Sequence, residues 1–289
     1  MRRLLFVLIL FWDHAALAQP RLLSRLDSFF HAQPKDQPGF ALSIEKQGDI
    51  IYRNTAGLAD KTAGVPLDST ANFRMASVTK QFTAMGIFLL EKQGLLSFDD
   101  PIRRWLPELP AGIGNRILIR HLLTHSSGLL DYESLVPAEA EQRFNHSPQG
   151  EHSSQDDQTQ LLDIDVLHLL APHDSTLFAP GTRFRYSNSG YCLLALIIER
   201  ASHHSFPDFI RENIFLPLHM TNSTIYVRGQ PIPHRAMGYA RDGTSLIIPS
   251  DQSLTSATKG DGGVYTSLAD YSKWISALQK NQLLRLAGS

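Results

Sequence analysis

Ser77-Val78-Thr79-Lys80 sets a hydroxyl and an amine three residues apart at the head of an apolar run, and few features constrain a chain of 289 residues as strongly. The run from Gln81 to Leu90 carries Phe82, Met85, Ile87, Phe88, Leu89 and Leu90, and Gly94 follows where a helix C-cap belongs. In such a helix residues i and i+3 share a face, so the Lys80 amine reaches the Ser77 hydroxyl. Ser77 then stands at the positive end of the helix dipole, where backbone N–H groups lack intrahelical partners and favour developing negative charge. Nucleophile, candidate base and part of an oxyanion site fall within one turn. The bland alternative is an ordinary serine N-cap beside an exposed lysine.

The chain supplies its own controls for this pattern. Ser43-Ile44-Glu45-Lys46 lies in an alternating, strand-like segment, where i and i+3 point to opposite faces. Ser256-Ala257-Thr258-Lys259 runs into Gly260-Asp261-Gly262-Gly263, which is no helical context. Context, not the four letters, singles out Ser77.

With 43% hydrophobic and 19% charged residues the chain can bury a core as one large domain or two small ones. A net charge of −1 with no basic run excludes a nucleic-acid footprint. A small-molecule or peptide substrate is the expected partner. Arg2 and Arg3, the apolar stretch Leu4 to Trp12 and Ala16-Leu17-Ala18 have the form of an export signal over residues 1–18. The apolar stretch is too short for a transmembrane helix, so no membrane anchor is expected once the signal is cut, and the predicted location is periplasmic or secreted. Cys192 is the single cysteine and rules out an intrachain disulfide.

Apolar spacing predicts a helix over Leu22–Ala32, then a hairpin of strands from Phe40 to Ile44 and Ile50 to Asn54 around a turn at Gly48-Asp49. Thr55 to Phe73 reads as a loop. Helical patterns follow at Ile117–Leu123, Ile164–Leu170, Tyr191–Ser202 and Pro207–Leu216, and a further helix at Leu268–Leu278. Glu139 to Gln160 is polar and aperiodic, like a surface insertion. His146, His152, His168 and His173, in or near it, lack the spacing of zinc ligands and read as solvated histidines.

A second motif, Tyr186-Ser187-Asn188, follows the Pro180-Gly181 turn and directly precedes the helix at Tyr191–Ser202. Its structural alternative is a packed tyrosine with Asn188 as helix N-cap. With Ser77 and Lys80, this triplet resembles the serine β-lactamase and penicillin-binding protein superfamily, in its class C and D-alanyl-D-alanine carboxypeptidase branch. Phe73-Arg74-Met75-Ala76 before the serine and Ile119 to Leu129 are similar to family segments too, as is Gly262 to Asp270. Tyr52-Arg53-Asn54 fits the triplet but sits within a predicted strand.

The resemblance implies an α+β fold, an antiparallel sheet flanked by helices plus a mainly helical subdomain, with residues 19–289 as one hydrolase domain. It also implies acyl transfer with no metal or other cofactor. Ser77 would attack a carbonyl of a β-lactam, a D-Ala-D-Ala-type peptide or a small ester, Lys80 and Tyr186 would share its proton, and Asn188 would bind the substrate amide or orient Lys80. Which of Lys80 and Tyr186 is the base stays open.

The family's third motif, Lys or His-x-Gly on a downstream strand, has no counterpart in place. Lys46-Gln47-Gly48 and Lys92-Gln93-Gly94 match the letters at a hairpin turn and a helix end, and Lys259-Gly260-Asp261 has the wrong spacing. The expectation is a C-terminally shortened domain without its last strands, whose hairpin keeps an unpaired edge. A non-catalytic relative that binds a peptide or wall fragment is the alternative function.

Overall fold

A computed structural model of the chain describes residues 10–140, 160–241, 243 and 247–286. Residues 1–9 of the expected export signal and 141–159 of the polar segment lie outside the described residues, His146 and His152 among them. Helix α1 (Leu10–His31) contains the helix expected from Leu22 onward and begins within the expected signal. No described helix is long and apolar enough to cross a membrane.

Strands β1 (Phe40–Lys46) and β2 (Asp49–Ala56) pair antiparallel from Phe40↔Ala56 to Lys46↔Asp49. The turn lies one residue earlier than expected, on Gln47 and Gly48, both at positive φ (57° and 92°). That backbone matches the twist of the flanking strands, and glycine adopts it without strain. The region expected as a loop also holds three short strands: β3 (Leu58–Asp60), β4 (Val65–Pro66) and β5 (Asn72–Arg74). Two to three residues carry too little periodicity to be read from sequence.

The helical part begins with a 3-10 turn, Ala76–Thr79, that runs into α2 (Lys80–Lys92). Short helices α3 (Ala111–Gly114) and α4 (Ile119–Leu123) follow, then α5 (Asp163–Leu170), α6 (Asn188–Ser202) and α7 (Phe206–Ile210). The expected helix at Pro207–Leu216 changes character after Ile210 and continues as a π-turn, Arg211–Phe215. Helix α6 is the hub, packing against α2, α4, α5 and α7. Leu193, Leu194, Ile197 and Ile198 on α6 meet Phe82, Ile87 and Leu90 of α2 in one buried core. Each such side chain contributes roughly 1.5–3 kcal/mol by leaving water.

Strands β6 (Thr224–Ile225), β7 (Tyr239–Arg241) and β8 (Ile247–Pro249) precede a short helix, α8 (Lys259–Gly262), and strand β9 (Val264–Ser267). Helices α9 (Leu268–Gln279) and α10 (Gln282–Leu286) complete the described chain. Trp274 of α9 stacks on Phe82 of α2 with ring centres 4.3 Å apart. Among the described residues the antiparallel sheet is divided into small pieces: β1–β2, β3–β4, β7–β8 and a three-stranded unit of order β5–β9–β6. The architecture is α+β, and β1 has no partner but β2 among those residues.

Candidate active site

Strand β5 and the helix that follows it set Ser77. The ladder of β5 with β9 continues through the Met75 N–H to the Val264 carbonyl (2.9 Å), and the chain then turns sharply at Ala76, a non-glycine residue at φ +44°. That left-handed conformation costs a residue with a Cβ of order 1–3 kcal/mol and persists only where its surroundings impose it. Thr79 accepts the Val264 N–H at 3.0 Å and locks the turn onto β9. Ser77 is left exposed at the head of the helical unit, and its i, i+3 relation to Lys80 is realised through a 3-10 turn, in which i and i+3 eclipse.

Lys80 is only 7% exposed, yet its ammonium has three acceptors. Nζ donates to Ser77 Oγ at 3.2 Å, Asn188 Oδ1 at 2.9 Å and the Asp261 carbonyl at 3.0 Å. The Tyr186 hydroxyl donates to Ser77 Oγ at 2.7 Å, and Lys80 Nζ lies 4.9 Å from the centre of the Tyr186 ring. All four side chains predicted from sequence thus converge, across 108 residues between Lys80 and Asn188. Asn188 is the first residue of α6, not its cap. Ser187 caps by accepting the Gly190 N–H, which frees the Asn188 amide for the site.

Sequence reasoning assigned no role to the groups that surround this core. Asp131 Oδ2 accepts the Asn188 N–H at 2.7 Å, and Glu133 Oε1 accepts Asn188 Nδ2 at 3.1 Å, so both ends of the Asn188 amide are engaged and its orientation is set. Burial and the neighbouring Asp131 carboxylate push the Glu133 carboxyl above its ordinary range. His125 stacks on Tyr186 at 4.5 Å and accepts the Ser187 N–H through Nδ1 at 3.2 Å. Burial, and then the nearby Lys80 charge, hold the proton affinity of His125 down, which suits a neutral ring. Beneath Lys80, Tyr132 donates to Asp261 Oδ2 at 3.2 Å. The glycines around Asp261 permit close backbone approach: a Cβ on Gly260 would lie 2.2 Å from the Tyr191 carbonyl oxygen.

The decoys stay apart from one another. Ser43 donates to Glu45, and Lys259, far from acting on Ser256, pairs with Glu199 at 3.3 Å. Tyr52 donates to Asp27 on α1. Lys46 to Gly48 lies at the hairpin turn and Lys92 to Gly94 at the end of α2. Gln160, at the end of the polar segment expected on the surface, is instead buried, where it accepts from Tyr226 and donates to Gln252. Among the described residues no three His, Cys, Asp or Glu side chains are placed to hold a metal ion.

An amine and a phenol converge on one exposed serine hydroxyl on an α+β frame, an arrangement suited to activating that hydroxyl as a nucleophile. The chain belongs to the Beta-lactamase family, whose profile matches residues 26–288. It is 34% identical to penicillin-binding protein 4* of Bacillus subtilis over 252 residues, 83% of this chain and 52% of that protein. Against esterase EstB of Burkholderia gladioli the identity is 29%, over 90% of this chain and 71% of the esterase. The structure of the octameric penicillin-binding protein homologue from Pyrococcus abyssi superposes with a TM-score of 0.71 at 27% identity, covering 90% of this chain and 57% of that one. The chain spans about half the length of penicillin-binding protein 4*.

Proposed function

We propose that this protein is an exported serine hydrolase that works through an acyl-enzyme on a β-lactam, a D-Ala-D-Ala-type peptide or a small ester. The observation that carries the reading is Ser77 Oγ held at once by Lys80 Nζ at 3.2 Å and the Tyr186 hydroxyl at 2.7 Å. With Lys80 as the free amine or Tyr186 as the phenolate, Ser77 Oγ attacks the carbonyl carbon and gives its proton to that base. The same pair returns a proton to the leaving group, and water then cleaves the Ser77 ester. Exposure of Ser77 and Tyr186 beside a buried Lys80 fits a substrate that arrives from solvent and an amine shielded from it. The engaged amine and phenol favour catalysis over a role as a wall-fragment binder. Export, to the periplasm or the medium, is supported by the residue pattern of positions 1–18.

The test is to incubate the mature protein with a fluorescent penicillin and with a nitrophenyl ester, and to map the adduct by mass spectrometry. An adduct on Ser77, absent in Ser77→Ala, is the expected result. A folded parent that binds ligand with no adduct and no turnover sinks the hydrolase reading.

A further inference from the structure

Tyr186 holds its hydroxyl 2.7 Å from Ser77 Oγ, yet it stands in a stretch with little of its own to hold it there. Residues 181–186 are exposed and belong to no helix or strand. Helix α6 begins only at Asn188. A long side chain on such a stretch samples several rotamers unless a group outside the stretch selects one.

His125, just past the end of α4, engages residues 185, 186 and 187 in turn. Its carbonyl accepts the Arg185 N–H at 2.9 Å, its ring stacks on the Tyr186 ring with centres 4.5 Å apart and planes 30° apart, and its Nδ1 accepts the Ser187 N–H at 3.2 Å. Tyr186 is thereby gripped along the backbone on both sides and across its ring. His125 is itself tied to the packed part of the molecule. Its N–H donates to the Leu122 carbonyl at 3.2 Å, and its ring meets that of Tyr191 on α6 with centres 5.1 Å apart. Tyr191 is buried and donates through its hydroxyl to the Leu123 carbonyl at 3.0 Å. His125 also keeps φ at +55°, a left-handed backbone that residues with a Cβ seldom adopt. With that backbone, its carbonyl and its ring both reach the one short stretch that carries the phenol.

We propose that His125 is a positioning residue of the Ser77 site: by gripping residues 185 to 187 it fixes the Tyr186 phenol against Ser77 Oγ and so governs the acylation step. The inference rests on the reading of Ser77 as the nucleophile and Tyr186 as its partner. Misplacing a reacting group by about 1 Å can cost about 10² in rate, so a residue that touches no substrate still controls the chemistry.

The experiment is the second-order rate of Ser77 labelling by a fluorophosphonate, measured on the intact protein. His125→Gly removes ring and acceptor but accepts the left-handed backbone without strain, and is expected to lower the rate by about 10². His125→Asn also tolerates that backbone and restores an oxygen acceptor for the Ser187 N–H, and is expected to recover part of the loss. In a Tyr186→Phe background the phenol is gone and its placement no longer matters. There His125→Gly should change the residual rate by no more than about twofold. A parental rate in folded His125→Gly, or an equal loss in both backgrounds, assigns His125 a merely structural role and overturns the proposal. Should His125→Gly lose its native circular dichroism, His125→Asn decides by the same two criteria, with an expected loss of about tenfold confined to the Tyr186 background. No labelling of a folded parent overturns the hydrolase reading and this inference with it, whereas a labelled parent with either overturning result removes this inference only.

Discussion

Helix α6 and the β1–β2 hairpin invest the same length of chain very differently. Of the 15 residues of α6 eleven are buried, whereas β1 and β2, 7 and 8 residues long, bury only Tyr52. The helix is clasped on several sides by α2, α4, α5, α7 and α8. The hairpin rests on an aromatic patch of Phe29, Phe30, Phe40 and Tyr52 and on α9, through Arg53 donating to Ser272 at 2.7 Å. Every group found around Ser77 comes from the packed part, and none from the hairpin. A reacting constellation has to be held within fractions of an ångström, and only close-packed elements hold side chains that tightly.

The largest effect that could break this contrast is on chemistry. Lys80→Met and Tyr186→Phe are expected to lower the rate of Ser77 acylation by about 10²–10⁴, while Arg53→Ala in the hairpin leaves the rate per folded molecule within about twofold. Stopped-flow or quenched labelling against folded concentration reads both. An equal loss in a folded Arg53 variant would make the hairpin part of the site.

Stability comes next. Leu193→Ala on α6 opens a cavity in the core and should cost about 2–5 kcal/mol, against roughly 1 kcal/mol for Leu42→Ala on β1, where part of the side chain already meets water. Urea midpoints at constant m-value measure the difference. Equal costs would mean that the two regions are packed alike.

The smallest effect sharpens the contrast through pH, since Asp163, a carboxyl buried in the packed part, has no charged counterpart buried in the hairpin. Burial pushes the Asp163 carboxyl up to about 6. Between about pH 4 and 6 the folded chain therefore holds a proton that the unfolded chain has released, and stability falls as pH rises through that window. The fall is expected to reach at most about 3 kcal/mol. Asp163→Asn keeps a carbonyl for the Lys259 and Gly260 N–H groups and should flatten the slope. Denaturation at pH 4, 5 and 6 checks this, and an unchanged slope would show that the proton is taken up elsewhere.

Much of this site was legible in the chain. Ser77 with Lys80, and Tyr186 with Asn188, each stood at a predicted helix start, and those two starts are where the structure brings them together. The hairpin and the α6 and α9 helices were legible for the same reason, a sustained period of two or of 3.6. The strain at Ala76 was not, because nothing in an alanine announces a positive φ. Asp131, Glu133 and His125 were missed as site groups because each acts on the site through a residue some sixty positions away. The nearest signal was the stretch from Ile119 to Leu129, whose resemblance to a family segment carried no assigned role.

The sequence by itself determined the pairing of hydroxyl with amine, since three residues on one helical turn fix their separation whatever the rest of the chain does. Tertiary structure decided the distances at which the phenol of Tyr186 meets it, 109 residues along the chain from Ser77, and it alone brought in the carbonyl of Asp261, 181 residues from Lys80. Such contacts follow from how helices and strands pack around a shared core, and no local period encodes them.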